Sequence, residues 1–151
     1  MTRGLGLVDA VTTAGEPRAV GELVAEPEHL RIPTLTGFEN HAGRTTLGPG
    51  VAPLGRVITG VGNGVTASTG GTADGFVQGR IVGTYLHGPV LARNPALADL
   101  LLGWATRYEL AGLDDRTAQA LRDERLAATL TSRQARRASA SSAQRTGRAR
   151  A

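Results

Sequence analysis

The sequence has no cysteine and no lysine, and its aromatic residues are one tryptophan, two tyrosines and two phenylalanines. Without cysteine there is no disulfide, no thiolate metal site and no cysteine nucleophile within these residues. With so few aromatic rings, the core has to be built from Val, Leu, Ile and Ala. No stretch has the uninterrupted apolar length of a membrane helix. The opening Met1-Thr2-Arg3-Gly4 lacks the apolar stretch of a signal peptide. A soluble cytoplasmic protein is the default expectation, and 151 residues suit one domain of ordinary size.

What the chain does contain is unevenly distributed. Its 21 glycines follow no fixed period and sit between short apolar runs, the pattern of a strand-rich region with many turns. The formal net charge of +4 belongs to one end of the chain. Residues 132–151 hold six arginines and no acid, whereas the residues before them hold 11 arginines against 13 acids. Residues 1–131 therefore read as the folded domain, and 132–151 as a disordered Arg/Ser/Ala-rich tail. Such a tail could contact nucleic acid through phosphates, with salt-dependent binding lost on truncation after Thr131. Against that stand the acidic body, the few aromatics and the lack of any recognition motif.

Hydrophobic patterning predicts strands over Gly4–Val11, Val20–Glu26, Leu35–Glu39, Leu54–Val61 and Phe76–Leu86. A long glycine-, threonine- and serine-rich connection of hairpin type, residues 62–75, joins the last two. One helix is expected from Asn94, a candidate N-cap followed by Pro95, with Leu97, Leu100, Leu101 and Trp104 facing the core. A second is expected from about Asp114 or Asp115 to Leu130. The fold class is α/β: strands, then two helices, then a disordered tail.

Three features carry candidate chemistry. His87 closes the run Thr84-Tyr85-Leu86-His87-Gly88-Pro89 at the end of an apolar segment, where imidazole is a natural proton carrier. Taken alone, it reads more readily as an ordinary surface or hydrogen-bonded histidine. The turn Thr36-Gly37-Phe38-Glu39-Asn40-His41-Ala42-Gly43-Arg44 gathers an acid, an amide, an imidazole and a guanidinium. It reads either as a ligand-binding turn or as a polar loop, and Glu39 with His41 lack a third neighbour for a metal site. Arg18, beside the strand at Val20, has the two-pronged geometry that suits a carboxylate, although most arginines simply face solvent. Gly60-Val61-Gly62-Asn63-Gly64 lacks the helix pattern and the Lys-Ser or Lys-Thr pair of a phosphate loop.

In content and order, Gly4 to Thr13, Arg18 with Val20-Gly21-Glu22, Gly37-Phe38-Glu39-Asn40-His41, Gly60-Val61-Gly62-Asn63 and Gly83 to Pro89 resemble the GatD-type glutamine amidotransferases. These belong with the CobB/CobQ-like class I amidotransferases, and the likeness runs over about residues 4–130. It implies the C-terminal portion of an α/β amidotransferase-like domain and a glutaminase activity. His87 would be the general base and acid, Arg18 the residue that holds glutamine, and Asn40 part of the glutamine pocket. The resemblance further implies a MurT-like Mur ligase partner that uses ATP to amidate the D-glutamate of lipid II in peptidoglycan synthesis. The glutaminase chain itself needs no cofactor, metal or nucleic acid.

The departure from this family is the nucleophile. The family's cysteine lies on a tight strand-to-helix turn ahead of the segment matching Gly4, and no serine here occupies such an elbow: Ser68 lies in the glycine loop, and Ser132, Ser139, Ser141 and Ser142 in the tail. The sequence is thus expected to represent the C-terminal part of a longer glutaminase, through a late-assigned start or an incomplete reading frame. The alternative is a non-catalytic remnant that docks on MurT.

Overall fold

The computed structural model describes residues 4–65, 71–108, 110, 111, 113 and 115–148, the last 13 of these by backbone course only. Two long strands, β1 (Ala10–Pro27) and β2 (Leu35–Leu47), form an antiparallel ladder. On the other side of β1 lies β3 (Gly55–Thr59), which pairs with β4 (Ala73–Asp74), so the sheet order is β2-β1-β3-β4. A separate hairpin comprises β5 (Phe76–Gln78) and β6 (Ile81–Gly83). Three helices follow: α1 (Val90–Arg93), α2 (Pro95–Thr106) and α3 (Arg116–Arg148). This mixture of sheet and helix agrees with the α/β class, and the pairings among the described strands are antiparallel.

Alternation along β1 and β2 sends residues to two faces. Leu23 and Leu35 turn inward and meet Leu54, Leu86 and Leu97 in the core. Burying each such leucine contributes roughly 1.5–3 kcal/mol. Gly37 leaves room for Leu86, because a Cβ there would lie 2.7 Å from the Leu86 Cδ2 and force that side chain to shift. Val20 and Phe38 turn outward and stay exposed at 63% and 38%.

Several expectations are corrected. Gly4–Val11 is not one strand: β1 begins only at Ala10, and Gly6 turns the preceding backbone at φ +72°. Phe76–Leu86 is a hairpin and a connection, because Gly79 at φ +59° opens a two-residue turn, the glycine-first pattern of tight hairpins. The strand at Leu35–Glu39 continues to Leu47 through polar residues that find partners inside the sheet. The N-cap position of α2 is indeed Asn94, with Pro95 following, yet its side chain caps nothing. Its Oδ1 instead accepts the Thr36 N–H at 2.9 Å, and its Nδ2 donates to the Thr36 and Val90 carbonyls. The second expected helix runs on past Leu130 to Arg148, through residues read as a disordered tail. Ala, Arg and Gln there are strong helix formers, so local propensity continues the helix where apolar anchoring stops. Asp114 and Ser68 lie outside the described residues.

Candidate functional site

The β1–β2 register breaks between Ala14 and Ala19, where residues 15–18 of β1 stand opposite Ala42 alone. Arg44 pins this bulge by donating from Nη2 to the Pro17 carbonyl at 2.8 Å. Bulges re-aim side chains, and here Arg18 is directed over β2. Its Nε donates to Asn40 Oδ1 at 2.7 Å and its Nη2 to the Asn40 carbonyl at 3.1 Å. Two of the five guanidinium N–H groups of this exposed residue are thereby engaged.

His87 joins the same face through the backbone. It forms an antiparallel bridge with Phe38, its N–H donating to the Phe38 carbonyl at 2.6 Å. Directly opposed residues project to one side of a sheet, as do residues two apart on one strand. His87, Phe38 and Asn40 therefore share the exposed face on which Arg18 lies. The His87 ring is exposed, and Nδ1 lies 2.6 Å from the Tyr85 carbonyl. A carbonyl only accepts, so Nδ1 carries the hydrogen and Nε2 of the neutral ring presents a lone pair. The three residues singled out from the sequence thus gather on one face. His87 does so by bridging to β2 after β6 has ended, instead of standing at the tip of a strand.

Glu39 and His41 point the other way. Glu39 is 2% exposed, and its carboxylate accepts the N–H groups of Val61 at 2.7 Å and Gly62 at 2.9 Å. His41 Nε2 lies 3.3 Å from Glu39 Oε2, and its Nδ1 donates to the Gly43 carbonyl. The His41 ring stacks on Tyr85 with centroids 3.6 Å apart. The Gly60–Gly64 segment is thus a backbone cradle filled by the chain's own carboxylate. Asn63 locks the far side of that turn with paired bonds to Gly75, its Nδ2 donating to the carbonyl and its Oδ1 accepting the N–H.

One buried residue, Asp74, and one half-buried residue, Tyr85, were not legible as site-forming. Asp74 is fully buried, accepts from the Thr84 hydroxyl and the Tyr85 N–H, and so fixes the segment leading to His87. Burial raises its carboxyl above the usual range, partly offset by those two hydrogen bonds; nearby Glu39 raises it further and His41 lowers it. Tyr85 binds Thr45 Oγ1 through its hydroxyl at 2.8 Å. Neither residue stands in a periodic pattern; the only sequence signal was a lone acid beside glycine and a tyrosine two residues before a candidate histidine.

An open cleft of about 810 Å³ separates this face from α3, bordered by Arg18, Val20, Glu22 and Thr59 on the sheet and by Arg125 and Arg133 on the helix. Among the described residues, no group of three or more His, Asp or Glu side chains is arranged to hold a metal ion. Nor is any described helix long and apolar enough to cross a membrane.

Comparison with known proteins gives a consistent result. A family model described as the CobB/CobQ-like glutamine amidotransferase domain matches residues 1–95. The lipid II isoglutaminyl synthase (glutamine-hydrolyzing) subunit GatD of Staphylococcus aureus is 38% identical over 99 residues, covering 66% of this chain and 37% of that protein. GatD of Streptococcus pneumoniae is 35% identical over 105 residues, covering 69% of this chain and 38% of that protein. A cobyric acid synthase of Pelotomaculum thermopropionicum is 44% identical over 113 residues, covering 69% of this chain and 20% of that protein. The chain therefore spans well under half the length of these relatives.

Proposed function

Because the chain belongs to the CobB/CobQ-like glutamine amidotransferase family, we propose that it forms the histidine-bearing part of a GatD-type glutaminase. In this reading a cysteine supplied by polypeptide outside these 151 residues attacks the side-chain amide of glutamine. His87 Nε2 takes the thiol proton and returns it to the departing ammonia, then takes a proton from the water that releases glutamate. Arg18, held by Asn40, offers its remaining N–H groups to the substrate carboxylate. Asn40 serves chiefly as the anchor of Arg18. The ammonia passes to a MurT-like ligase, which uses ATP to amidate D-glutamate in lipid II; the reaction is cytoplasmic and the two subunits form a heterodimer.

The observation that carries this reading is the bridge between Phe38 and His87, which puts the histidine on the same face as the Arg18–Asn40 pair. A second acceptor is favoured by the similarity to cobyric acid synthases, and there the ammonia would serve cobyric acid synthesis. GatD is preferred because the aligned part makes up a larger share of those relatives.

The test is ammonia release from glutamine. The 151-residue chain alone is expected to stay at background. In a protein that includes the nucleophile, His87→Ala should remove at least a hundredfold of kcat, the order that positioned proton transfer contributes (~10²–10⁴). Arg18→Ala should act mainly on KM. Turnover by the chain alone, or a His87→Ala protein near the parent rate, refutes the assignment. Amidation of lipid II against amidation of a corrinoid acceptor separates the two readings.

A further inference from the structure

We propose that Tyr85 is the positioning residue for His87, steadied by His41, so that the imidazole is oriented through a backbone carbonyl. The inference rests on the proposed role of His87 and adds how that ring is aimed. His87 Nδ1 donates to the Tyr85 carbonyl at 2.6 Å, which fixes the tautomer that leaves Nε2 free to accept a proton.

Tyr85 is held at every polar point. Its N–H donates to Asp74 Oδ1 at 3.2 Å. Its hydroxyl bonds to Thr45 Oγ1, itself 2.8 Å from Thr12 Oγ1. One ring face lies against His41 at an interplanar angle of 15°. His41 in turn is gripped between the Glu39 carboxylate and the Gly43 carbonyl, and Glu39 is fastened to Val61 and Gly62. The path thus runs through direct contacts from the turn after β3 to the His87 imidazole. The two buried carboxylates near it are already engaged, Glu39 with that turn and His41, and Asp74 with Thr84 and Tyr85. Among the described residues, no carboxylate hydrogen-bonds His87.

The experiment is nitrogen NMR on the protein as its host makes it, labelled at histidine and read on the neutral imidazole. The parent should show His87 with its hydrogen on Nδ1. Tyr85→Phe keeps the ring and the carbonyl and should leave that signature unchanged, as should His41→Phe, which preserves a stacking surface. Tyr85→Leu and His41→Leu should give a mixture of tautomers, with kcat lower by about tenfold and the glutamine KM within about twofold. A parent His87 protonated on Nε2 overturns the proposal, and so does a tautomer unchanged in both leucine variants. Should a leucine variant fail to fold, the methionine variant at the same position, which fills the space without a planar ring, is read in its place. The spectrum reads orientation independently of turnover, so glutaminase activity that survives His87→Ala would defeat the functional reading alone.

Discussion

At the scale of single residues, the informative ones are polar groups that the fold has removed from water. Asp74 has its carboxyl raised above the ordinary carboxylate range, chiefly by desolvation. The native state then holds a proton that the unfolded chain has already lost, so this residue's contribution to stability falls as pH rises from about 3.8 through its folded value. Asp74→Asn keeps an acceptor for the Tyr85 N–H and a polar partner for the Thr84 hydroxyl. It is expected to fold and to flatten that descending part of the profile, measured as the urea midpoint against pH. A profile identical to the parent's would mean that Asp74 ionises as easily folded as unfolded. Arg18 and His87 differ in kind: both are exposed, and each is positioned by a short hydrogen bond, Arg18 to Asn40 at 2.7 Å and His87 to the Tyr85 carbonyl at 2.6 Å.

At the scale of elements, the joint between sheet and helix depends on Asn94. Its amide completes the β2 edge at Thr36 as another strand would, and it also accepts the role of tying down α1 at Val90. Asn94→Ala leaves the Thr36 N–H and carbonyl unpaired in a buried place and should cost about 3 kcal/mol. Chemical denaturation measures this, and a loss under about 1 kcal/mol would show that water repairs the gap. The sequence made this joint only partly legible. Proline after asparagine marked the start of α2 correctly, but capping preference alone could not reveal that the side chain turns to the sheet. Val20–Glu26 was readable from its alternation and Leu35–Glu39 as a short run before a polar cluster, although burial runs consecutively through Leu23, Val24 and Ala25 and through Leu35, Thr36 and Gly37. The continuation of β2 to Leu47 was hidden because Glu39, His41 and Thr45 point inward as polar residues: Glu39 and Thr45 find partners distant in sequence, and His41 binds its neighbours Glu39 and Gly43. The hairpin at Gly79 was hidden within an apolar stretch that scans as a single strand. Of the candidate site, the sequence offered Arg18, Asn40 and His87 as candidates, while their gathering on one face rests on the bulge that aims Arg18 and the bridge that carries His87, which are tertiary facts.

At the scale of the whole molecule, charge and structure divide at different places. The basic excess lies in residues 132–151, but α3 runs through that boundary to Arg148. Among the described contacts, α3 is tied to the body near its start, where Arg122 donates to the Thr34 carbonyl. Truncation after Thr131 should therefore lower helical circular dichroism and abolish retention on a cation exchanger. The unfolding free energy should change by less than about 0.5 kcal/mol, the range of substitutions remote from packed contacts. A larger loss would show that the distal half of α3 bears on the cleft beside Arg125 and Arg133. The filled cradle at Gly60–Gly64 has its own consequence. Since Glu39 occupies those amide groups from within, the turn takes its shape during folding and does not wait for a ligand to impose it. The conformational entropy lost in ordering this side of the cleft is therefore charged to folding, which leaves a later ligand less to organise.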